Sequence, residues 1–402
     1  AGGFNNPMGA CLDGAGGLYV TDYTNILIRW VNLTTGAVRT VAGTGTVGST
    51  VGTTPLQSTF NYFVGIEADS AGNVYVADTD NHAIRLLSGV WVAGTGSPGS
   101  TNAAAGTSAS FNRPYAVRAD VGGGLLFVAD FVNNKVRTIA IAGSHAVTTL
   151  ASFSTNVNEI ALDVAARIMY VCVGSAVYVL TYAGVATLLA GDTTTGYADG
   201  TGSAARFNEL NGFALDAGAG VLYGAEWYNH RIRRITTNAG VVTTFAGSGN
   251  AALVNGVGTA ASFYSPVHMS LDYVSGVLYI ADQRNNAIRR AQLPLLTPAT
   301  NAAAPLSPSP LTPTDQLTVW RALGTFNSLG AATSQPVLVA RNVNFSAPLA
   351  AANTAGLNPA IGSLLLGNVT LAPRDAAPAA AGNTNTTFST SAQRGLACGR
   401  SP

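Results

Sequence analysis

The chain has 402 residues, of which only 10% are charged, and its formal net charge is +1. This length suits two domains or one large β-fold, and so small a net charge excludes a field that would attract nucleic acid or an anionic membrane. No run of 18 apolar residues predicts a membrane span. Three cysteines (Cys11, Cys172 and Cys398) exclude a disulfide-rich scaffold or a cysteine-based zinc site.

The chain opens on Ala1-Gly2-Gly3-Phe4 and shows no signal peptide, which favours a mature or trimmed N-terminus. A twelve-residue pattern then recurs as LYVTDYTNILIR (18–29), VYVADTDNHAIR (74–85), LFVADFVNNKVR (126–137), LYGAEWYNHRIR (222–233) and LYIADQRNNAIR (278–289). In each copy an acid lies seven residues before an arginine, and an asparagine follows the acid by three. The acid–arginine pairs are Asp22–Arg29, Asp78–Arg85, Asp130–Arg137, Glu226–Arg233 and Asp282–Arg289.

A sixth unit runs from Phe153 to about residue 191 and lacks all three polar positions, where counting places Val173, Ala176 and Leu180. Groups that disappear together are expected to bond one another, because a half-buried arginine or carboxylate is costly without its partner. We therefore interpret the acid, asparagine and arginine as a structural staple between two strands. His82 and His230 occupy the turn slot of that pattern and are predicted to be turn residues, not metal ligands.

Six units with four short strand-like runs each predict an all-β, six-bladed propeller over residues 1–293, with blades beginning near residues 4, 60, 111, 153, 207 and 263. The turns Asn81-His82-Ala83 and Asn229-His230-Arg231, and the stretch ADGTGSAARFNEL (198–210), resemble the NHL-repeat family. That resemblance implies the propeller fold but does not select a function, because NHL propellers include enzymes, ligand-binding parts, RNA readers and scaffolds.

The last blade reaches Pro294 without a fourth strand of its own. Three sources remain open for that strand: sequence upstream of Ala1, the segment PVLVARNVNF (336–345), or another molecule.

The C-terminal region has a different composition, with twelve of the 17 prolines after residue 293. Residues 294–316 are predicted to be a Pro-rich, extended linker, and residues 317–402 an extended, Pro/Ala-rich apolar arm packed on the propeller or on a neighbouring subunit. The run Ser307-Pro308-Ser309-Pro310 resembles the hydroxyproline-rich glycoproteins of green-algal and plant walls, which implies O-linked sugars. Candidate N-glycosylation sites are Asn32, Asn344, Asn368 and Asn385.

One pocket-like constellation emerges when four residues are counted back from the aspartate that ends each innermost strand. The positions are Gly9, Gly65, Ala116, Glu159, Gly212 and His268. Glu159 and His268 are therefore predicted to face the channel mouth. One histidine and one carboxylate fall short of the three protein ligands of a typical catalytic zinc, so we predict neither a metal nor a cofactor.

These observations favour a secreted, extracellular glycoprotein that is not an enzyme and serves as a structural or adhesive subunit of an assembly. Its predicted partners are copies of itself, other extracellular proteins, or carbohydrate, and not nucleic acid. The alternative is an extracellular propeller enzyme of the lyase or hydrolase type, or a ligand-binding module, with its site at Glu159 and His268.

Overall fold

The structure is a computed structural model that describes residues 3–293 and two short strands, Ala340–Arg341 and Leu366–Gly367, which pair in parallel. Residues 3–293 form six antiparallel sheets that follow one another along the chain. Among the described residues no helix is long and apolar enough to span a membrane. The all-β, six-bladed propeller is confirmed, while the predicted C-terminal arm lies outside the described residues apart from the two short strands.

The first three blades have four strands each. Blade one holds β1 (Pro7–Leu12), β2 (Gly17–Asp22), β3 (Leu27–Asn32) and β4 (Val38–Ala42). Blade two holds β5 (Ile66–Ala68), β6 (Val74–Asp78), β7 (Ala83–Leu86) and β8 (Trp91–Ala93). Blade three holds β9 (Pro114–Asp120), β10 (Leu125–Asp130), β11 (Lys135–Ala140) and β12 (Val147–Ser152).

The last three blades differ in strand number. Blade four holds β13 (Val157–Asp163), β14 (Ile168–Val173), β15 (Ala176–Thr181) and β16 (Ala186–Gly191). Blade five holds β18 (Leu210–Asp216), β19 (Val221–Glu226), β20 (Arg231–Thr236) and β21 (Val241–Ala246), and the two-residue β17 (Gly200–Thr201) pairs with the outer side of β21. Among the described residues blade six holds β22 (Pro266–Asp272), β23 (Val277–Asp282) and β24 (Ala287–Gln292).

Short 3₁₀ turns connect several of these elements. They span Pro55–Gln57, Thr79–Asn81, Gly106–Ser108, Phe131–Asn133, Gly202–Ala204, Gly258–Ala260 and Gln283–Asn285. Three of them lie in the turn between the second and third strand of a blade and end on a residue in the left-handed conformation, namely His82, Asn134 and Asn286. That conformation is uncommon for residues with a Cβ and is best tolerated by short polar side chains.

The strands are apolar on both faces because each blade is packed between two others. All five residues of β6, VYVAD, are buried. A core cluster between blades two and three joins Tyr75, Ile84 and Phe111 with Val128. Alternating strand residues therefore bury one set against the preceding blade and the other against the following blade, as period-two geometry requires.

The six innermost strands form a closed ring. β1, β5, β9, β13, β18 and β22 lie side by side in that order, and β22 lies beside β1. Blades three and six are therefore opposite each other across the central channel.

The two faces of the ring differ in which loops they carry. Innermost strands begin where second strands end, since Pro7 pairs with Asp22 and Pro114 with Asp130. We call this side the turn face, because the turns between second and third strands lie on it.

Blade six is incomplete at its outer edge, because no described strand pairs with β24. Its third-strand isoleucine, Ile288, is partly exposed. The matching residues of the other blades are all fully buried, namely Ile28, Ile84, Val136, Val177 and Ile232. This position is buried in five blades and open in blade six, where no described strand covers it.

Blade four departs from the expected alignment. Its turn after β14 is two residues shorter than the turns of the stapled blades, and Val173 pairs directly with Ala176. Val171 therefore pairs with Tyr178, where Val128 pairs with Arg137 in blade three. The assignment of Leu180 to the arginine position was wrong, as was that of Ala176 to the asparagine position, because counting residues could not reveal the shortened turn.

Candidate functional sites in and around the channel

The staple binds a loop as well as two strands. In blade two, Asp78 Oδ2 accepts hydrogen bonds from Arg85 Nη1 at 2.7 Å and Asn81 Nδ2 at 2.8 Å. Its Oδ1 accepts from the backbone N–H of Asn61 in the loop that enters the blade, at 2.8 Å. Arg85 also donates to the carbonyl of Thr59 in that loop. The acid therefore fixes the second strand, the third strand and the entry loop at one point.

The same arrangement recurs in four other blades. The arginine–acid distances are 3.5 Å for Arg29–Asp22, 2.8 Å for Arg137–Asp130, 2.9 Å for Arg233–Glu226 and 2.8 Å for Arg289–Asp282. Burial raises the pKa of each acid, and the hydrogen bonds from asparagine and arginine oppose that effect. All ten staple residues are committed to internal contacts, which is a structural role.

In blades two, three, five and six the arginine of the staple also stacks on the phenylalanine that starts its unit. The guanidinium carbon of Arg85 lies 4.7 Å from the centre of the Phe60 ring. In blade four the rings of Phe153 and Tyr178 lie 5.7 Å apart instead. Blade four thus replaces a charged contact with an aromatic pair at the same place.

The turn slot of His82 and His230 joins neighbouring blades. His82 Nδ1 accepts from the backbone N–H of Arg113, and His230 Nδ1 from that of Ser265, both at 3.1 Å. At the closure of the ring, Asn286 Oδ1 accepts from the N–H of Asn6 at 2.8 Å. The prediction of a turn role did not foresee this link to the next blade.

Glu159 and His268 are brought together, but inside the channel and not at an open mouth. His268 Nε2 lies 3.1 Å from Glu159 Oε2, and the two residues are only 3% and 1% exposed. Arg118 reaches across from the opposite wall, with Nη2 2.7 Å from Glu159 Oε1 and 2.6 Å from His268 Nε2. We call these three residues the crossbar, because they join blades three, four and six through the channel.

Sequence reasoning missed Arg118 because it lies two residues, not four, before the final aspartate of its strand. The residues at this second position are Cys11, Glu67, Arg118, Ala161, Ala214 and Ser270. If the positions two and four residues before each aspartate had both been examined, three charged residues would have been found together. They are Glu67, Arg118 and Glu159, which the ion pairs of Arg118 join in the channel.

A single proton on His268 decides which partner its Nε2 atom bonds. Arginine only donates, so Nε2 accepts from Arg118 when the ring proton is on Nδ1, which lies 3.1 Å from the carbonyl oxygen of Ala10. A proton on Nε2 would instead be donated to Glu159. Burial raises the pKa of Glu159, but Arg118 and His268 outweigh it and hold that pKa below its ordinary value. Glu159 is therefore a carboxylate and a poor general acid.

Three further groups near the crossbar, one carboxyl and two thiols, have pKa values shifted towards their neutral forms. Glu67 Oε2 lies 3.8 Å from Arg118 Nη1, and burial raises the pKa of Glu67 to about 7. Burial also raises the pKa of the free thiols of Cys11 and Cys172 well above the ordinary value, which makes both unreactive.

The small residues around the crossbar keep the innermost strands close together. A Cβ on Gly212 would lie 2.2 Å from the carbonyl oxygen of Val267, and one on Gly9 would lie 2.2 Å from that of Val64. These positions therefore serve packing between blades. Among the described residues no group of three histidine, cysteine, aspartate or glutamate side chains is placed to hold a metal ion.

Above the crossbar, the mouth of the channel on the turn face is aromatic and apolar. Met8, Val64 and Val267 form a buried floor. Tyr23, Tyr115 and Trp227 pack against that floor from blades one, three and five, and each is half-buried. Polar side chains complete the ring, since Asn158 Nδ2 donates to Asn211 Oδ1 at 3.0 Å.

The predicted glycosylation sites can be placed only in part. Asn32 ends β3, and its Oδ1 accepts from the N–H groups of Thr34 and Thr35 at 3.0 and 2.8 Å. The other sites lie outside the described residues, namely Asn344, Asn368, Asn385, Ser307, Pro308, Ser309 and Pro310.

The ring and its repeats define the class of this protein, a six-bladed β-propeller whose sequence is similar to that of NHL-repeat proteins. No protein-family model matches the chain. Over 314 residues it is 25% identical to NHL repeat-containing protein 2 of Bos taurus, a match that covers 71% of this chain and 39% of that protein. A stretch of 71 residues is 44% identical to NHL repeat-containing protein 2 of Gallus gallus and covers 17% of this chain and 10% of that one. The chain thus spans at most 39% of these relatives' length.

Solved structures show the same fold. An auxiliary nutrient binding protein from Bacteroides ovatus superposes with a TM-score of 0.56 at 18% identity, over 72% of this chain and 70% of that one. At this identity the likeness concerns the fold alone.

Proposed function

We propose that this propeller is a non-enzymatic binding module that joins other protein chains by accepting a β-strand at the edge of blade six. The observation that carries the proposal is Ile288, which is partly exposed while its five counterparts are fully buried. An added strand would cover this side chain and pair the edge. The crossbar supports a non-enzymatic role, because Glu159 and His268 are already bonded within the protein.

The outer edge of β24 has backbone N–H groups that point towards the position of an added strand. In complete blades the last residue of the third strand donates its N–H towards the fourth strand, as Asn32 does to Ala37, Ala140 to Ala146 and Thr181 to Val185. Backbone direction alternates along a strand. In β24 the N–H groups of Ile288 and Arg290 therefore point away from β23, towards the side on which no described strand pairs.

The complete blades also indicate what the added strand resembles. Their fourth strands include VRTVA (38–42), ATLLAG (186–191) and VVTTFA (241–246). All are short, rich in β-branched or apolar residues and nearly free of charge. A partner strand of the same kind would restore the packing that the other blades have.

A proposal on the location, glycosylation and assembly of the protein comes from the composition of the chain. We propose that the protein acts outside the cell as an assembly subunit, that its candidate sequons and Ser-Pro run carry sugar, and that residues 317–402 take part in the same assembly. The low charge and the Pro-rich tail support this proposal.

The test uses the full chain and a peptide with the sequence of residues 241–247, VVTTFAG. We expect the peptide to bind and to slow amide exchange at Ile288 and Arg290. Arg290→Pro removes an outward N–H, and we expect it to weaken binding about tenfold or more, because proline cannot donate to the ladder. Arg290→Ala keeps that N–H and should bind almost as the natural chain does.

Light scattering of native material supplies a second readout. Assemblies that dissociate in Arg290→Pro but persist in Arg290→Ala would support the proposal. A protein that stays monomeric and binds the peptide equally in both variants would refute it.

A further inference from the structure

The mouth of the channel on the turn face is separate from the edge of blade six and has a different chemistry. We propose that it binds a neutral carbohydrate, with the aromatic side chains Tyr23, Tyr115 and Trp227 against the apolar face of a sugar ring. Its polar arc, Asn158, Asn211 and Glu209, would meet the hydroxyl groups. This inference rests on different aromatic and polar side chains from the proposed strand addition, although Ile288 packs against the same buried cluster.

The aromatic side chains converge on one place although they come from three blades. Tyr115 lies on β9 of blade three, Tyr23 follows β2 of blade one, and Trp227 follows β19 of blade five. All three contact the same apolar floor. Burial raises the pKa of Tyr115 to about 12, and the charges of Tyr23 and Glu209 act in the same direction. Tyr23 of blade one and Glu209 at the start of blade five are therefore close enough to influence Tyr115 of blade three.

Hydrogen-bonding capacity remains available at this mouth. Asn158 is 5% exposed, yet its Oδ1 has no hydrogen-bond partner among the described residues. A buried acceptor without a donor is costly, so such an atom indicates a place for a water or a ligand hydroxyl. The hydroxyl groups of Tyr23 and Tyr115 likewise make no hydrogen bond to described residues, so they can serve a ligand.

The balance of charges selects a neutral ligand. Two arginines border the mouth: Arg113, whose Nε lies 2.8 Å from Asp80 Oδ1, and Arg284, whose guanidinium carbon lies 5.3 Å from the centre of the Trp227 ring. Burial raises the pKa of Glu209, which favours its neutral form. Among the described residues only Arg284 borders the mouth without a carboxylate partner, and one arginine is too few for a phosphate track, which argues against a nucleic acid. Sugars fit better, since they present C–H groups to the electron-rich faces of aromatic rings and hydroxyl groups to amides.

The aromatic residues of the proposed sugar site differ in how much their replacement would disturb the fold. Tyr115 stacks on Phe131 with centroids 4.4 Å apart, so its removal would disturb the fold. Tyr23 occupies a turn position that is Thr79 in blade two and Gln283 in blade six. The fold therefore accepts other side chains at that position, which makes Tyr23→Leu the better variant.

The experiment is saturation-transfer NMR on the full chain with a panel of neutral methyl glycosides of glucose, galactose, mannose and arabinose. We expect transfer to at least one glycoside, and a loss of affinity of about fivefold in Tyr23→Leu, the usual size of one aromatic contact. The matched control is Tyr197→Leu, an exposed tyrosine beside β21 at the outer rim, whose hydroxyl lies 2.8 Å from Thr244 Oγ1. The control should bind as the natural chain does.

Other outcomes would overturn the inference. One is the absence of transfer from every glycoside while circular dichroism reports folded protein. Another is equal binding by both tyrosine variants. Displacement of the glycoside by a peptide of residues 293–314, or stronger binding of a single-stranded RNA than of any glycoside, would reassign the mouth to those ligands. Loss of strand binding in Arg290→Pro with glycoside binding retained would separate this site from blade six.

Discussion

Each staple arginine can be buried because several acceptors meet it at once. Arg137 is 0% exposed and donates to Asp130, to the carbonyl oxygens of Ser110 and Thr101, and to Asn102. A guanidinium in so dry a place needs several partners at its two terminal nitrogens, since an uncompensated buried charge is strongly unfavourable. The joint loss of the polar groups in blade four follows from the same physics.

The staple therefore predicts strong coupling between its two charged members. Asp130→Val leaves Arg137 buried without its carboxylate, and we expect it to lower the free energy of unfolding by about 3–5 kcal/mol. Arg137→Tyr copies the residue that blade four has at this position. The double variant should lose clearly less than the sum of the two single variants, because neither charge is then left alone.

The measurement is chemical unfolding of the natural chain, both single variants and the double variant. Strict additivity would contradict the interpretation of the pair as one structural unit.

Glu67 gives the fold a pH dependence with a definite sign. Its pKa in the folded protein is about 7, against an ordinary value of 4.5. Between these values the folded form holds more protons than the unfolded chain, so this group's contribution to stability falls as pH rises through the folded pKa. Glu67→Gln removes the titrating proton, and we expect its stability to decline less than that of the natural chain between about pH 5 and about pH 8.

Urea unfolding midpoints across that pH range provide the check. The proposal concerns the difference between the two proteins, since Glu159, whose pKa is lowered, contributes an opposite slope in both. Parallel pH profiles would show that Glu67 is not the source.

At the scale of the element, innermost strands approach too closely for most side chains. Gly212 of β18 faces the backbone of β22, where an added Cβ would meet the carbonyl of Val267 at 2.2 Å and the Cα of His268 at 2.7 Å. Backbone atoms cannot move aside as a flexible side chain can. Blade three nevertheless has Ala116 at the same position, buried at 1% exposure.

This difference predicts that an added methyl group at position 212 destabilises the protein more than the removal of a methyl group at the equivalent position 116. Gly212→Ala should lower the free energy of unfolding by about 1–3 kcal/mol through overpacking. Ala116→Gly creates no clash and should cost about 0.5–1 kcal/mol through added chain freedom. Thermal unfolding of both variants makes the comparison, and an equal or smaller loss in Gly212→Ala would show that the ring widens freely at this level.

At the scale of the whole molecule, the number of blades could be predicted because period and spacing recur along the chain. The staple could also be recognised, since its three residues keep fixed separations and vanish together. The crossbar could be found only in half, because Arg118 comes from a strand more than 40 residues from Glu159 and its reach across the ring depends on the closed geometry. The shortened turn of blade four was equally hidden, because it shifts register without changing composition.

The aromatic mouth was not visible in the sequence for a similar reason. Tyr23 and Trp227 each follow the staple acid of their blade directly, whereas Tyr115 lies near the start of an innermost strand. Only the ring brings two turn positions and one strand position together around the same floor.

The junction of blades six and one has a mechanical consequence. Among the described residues no backbone ladder crosses it, and the two blades are held by side chains such as Asn286, whose Oδ1 accepts from Asn6 N–H, and Gln283, whose Nε2 approaches Met8 Sδ at 3.0 Å. This junction therefore depends on side-chain contacts between separate strands. Arg118 of blade three, whose Nη2 lies 2.6 Å from His268 Nε2 on the innermost strand of blade six, ties blade six to the opposite wall, so a force that pulled the junction open would also have to break the crossbar.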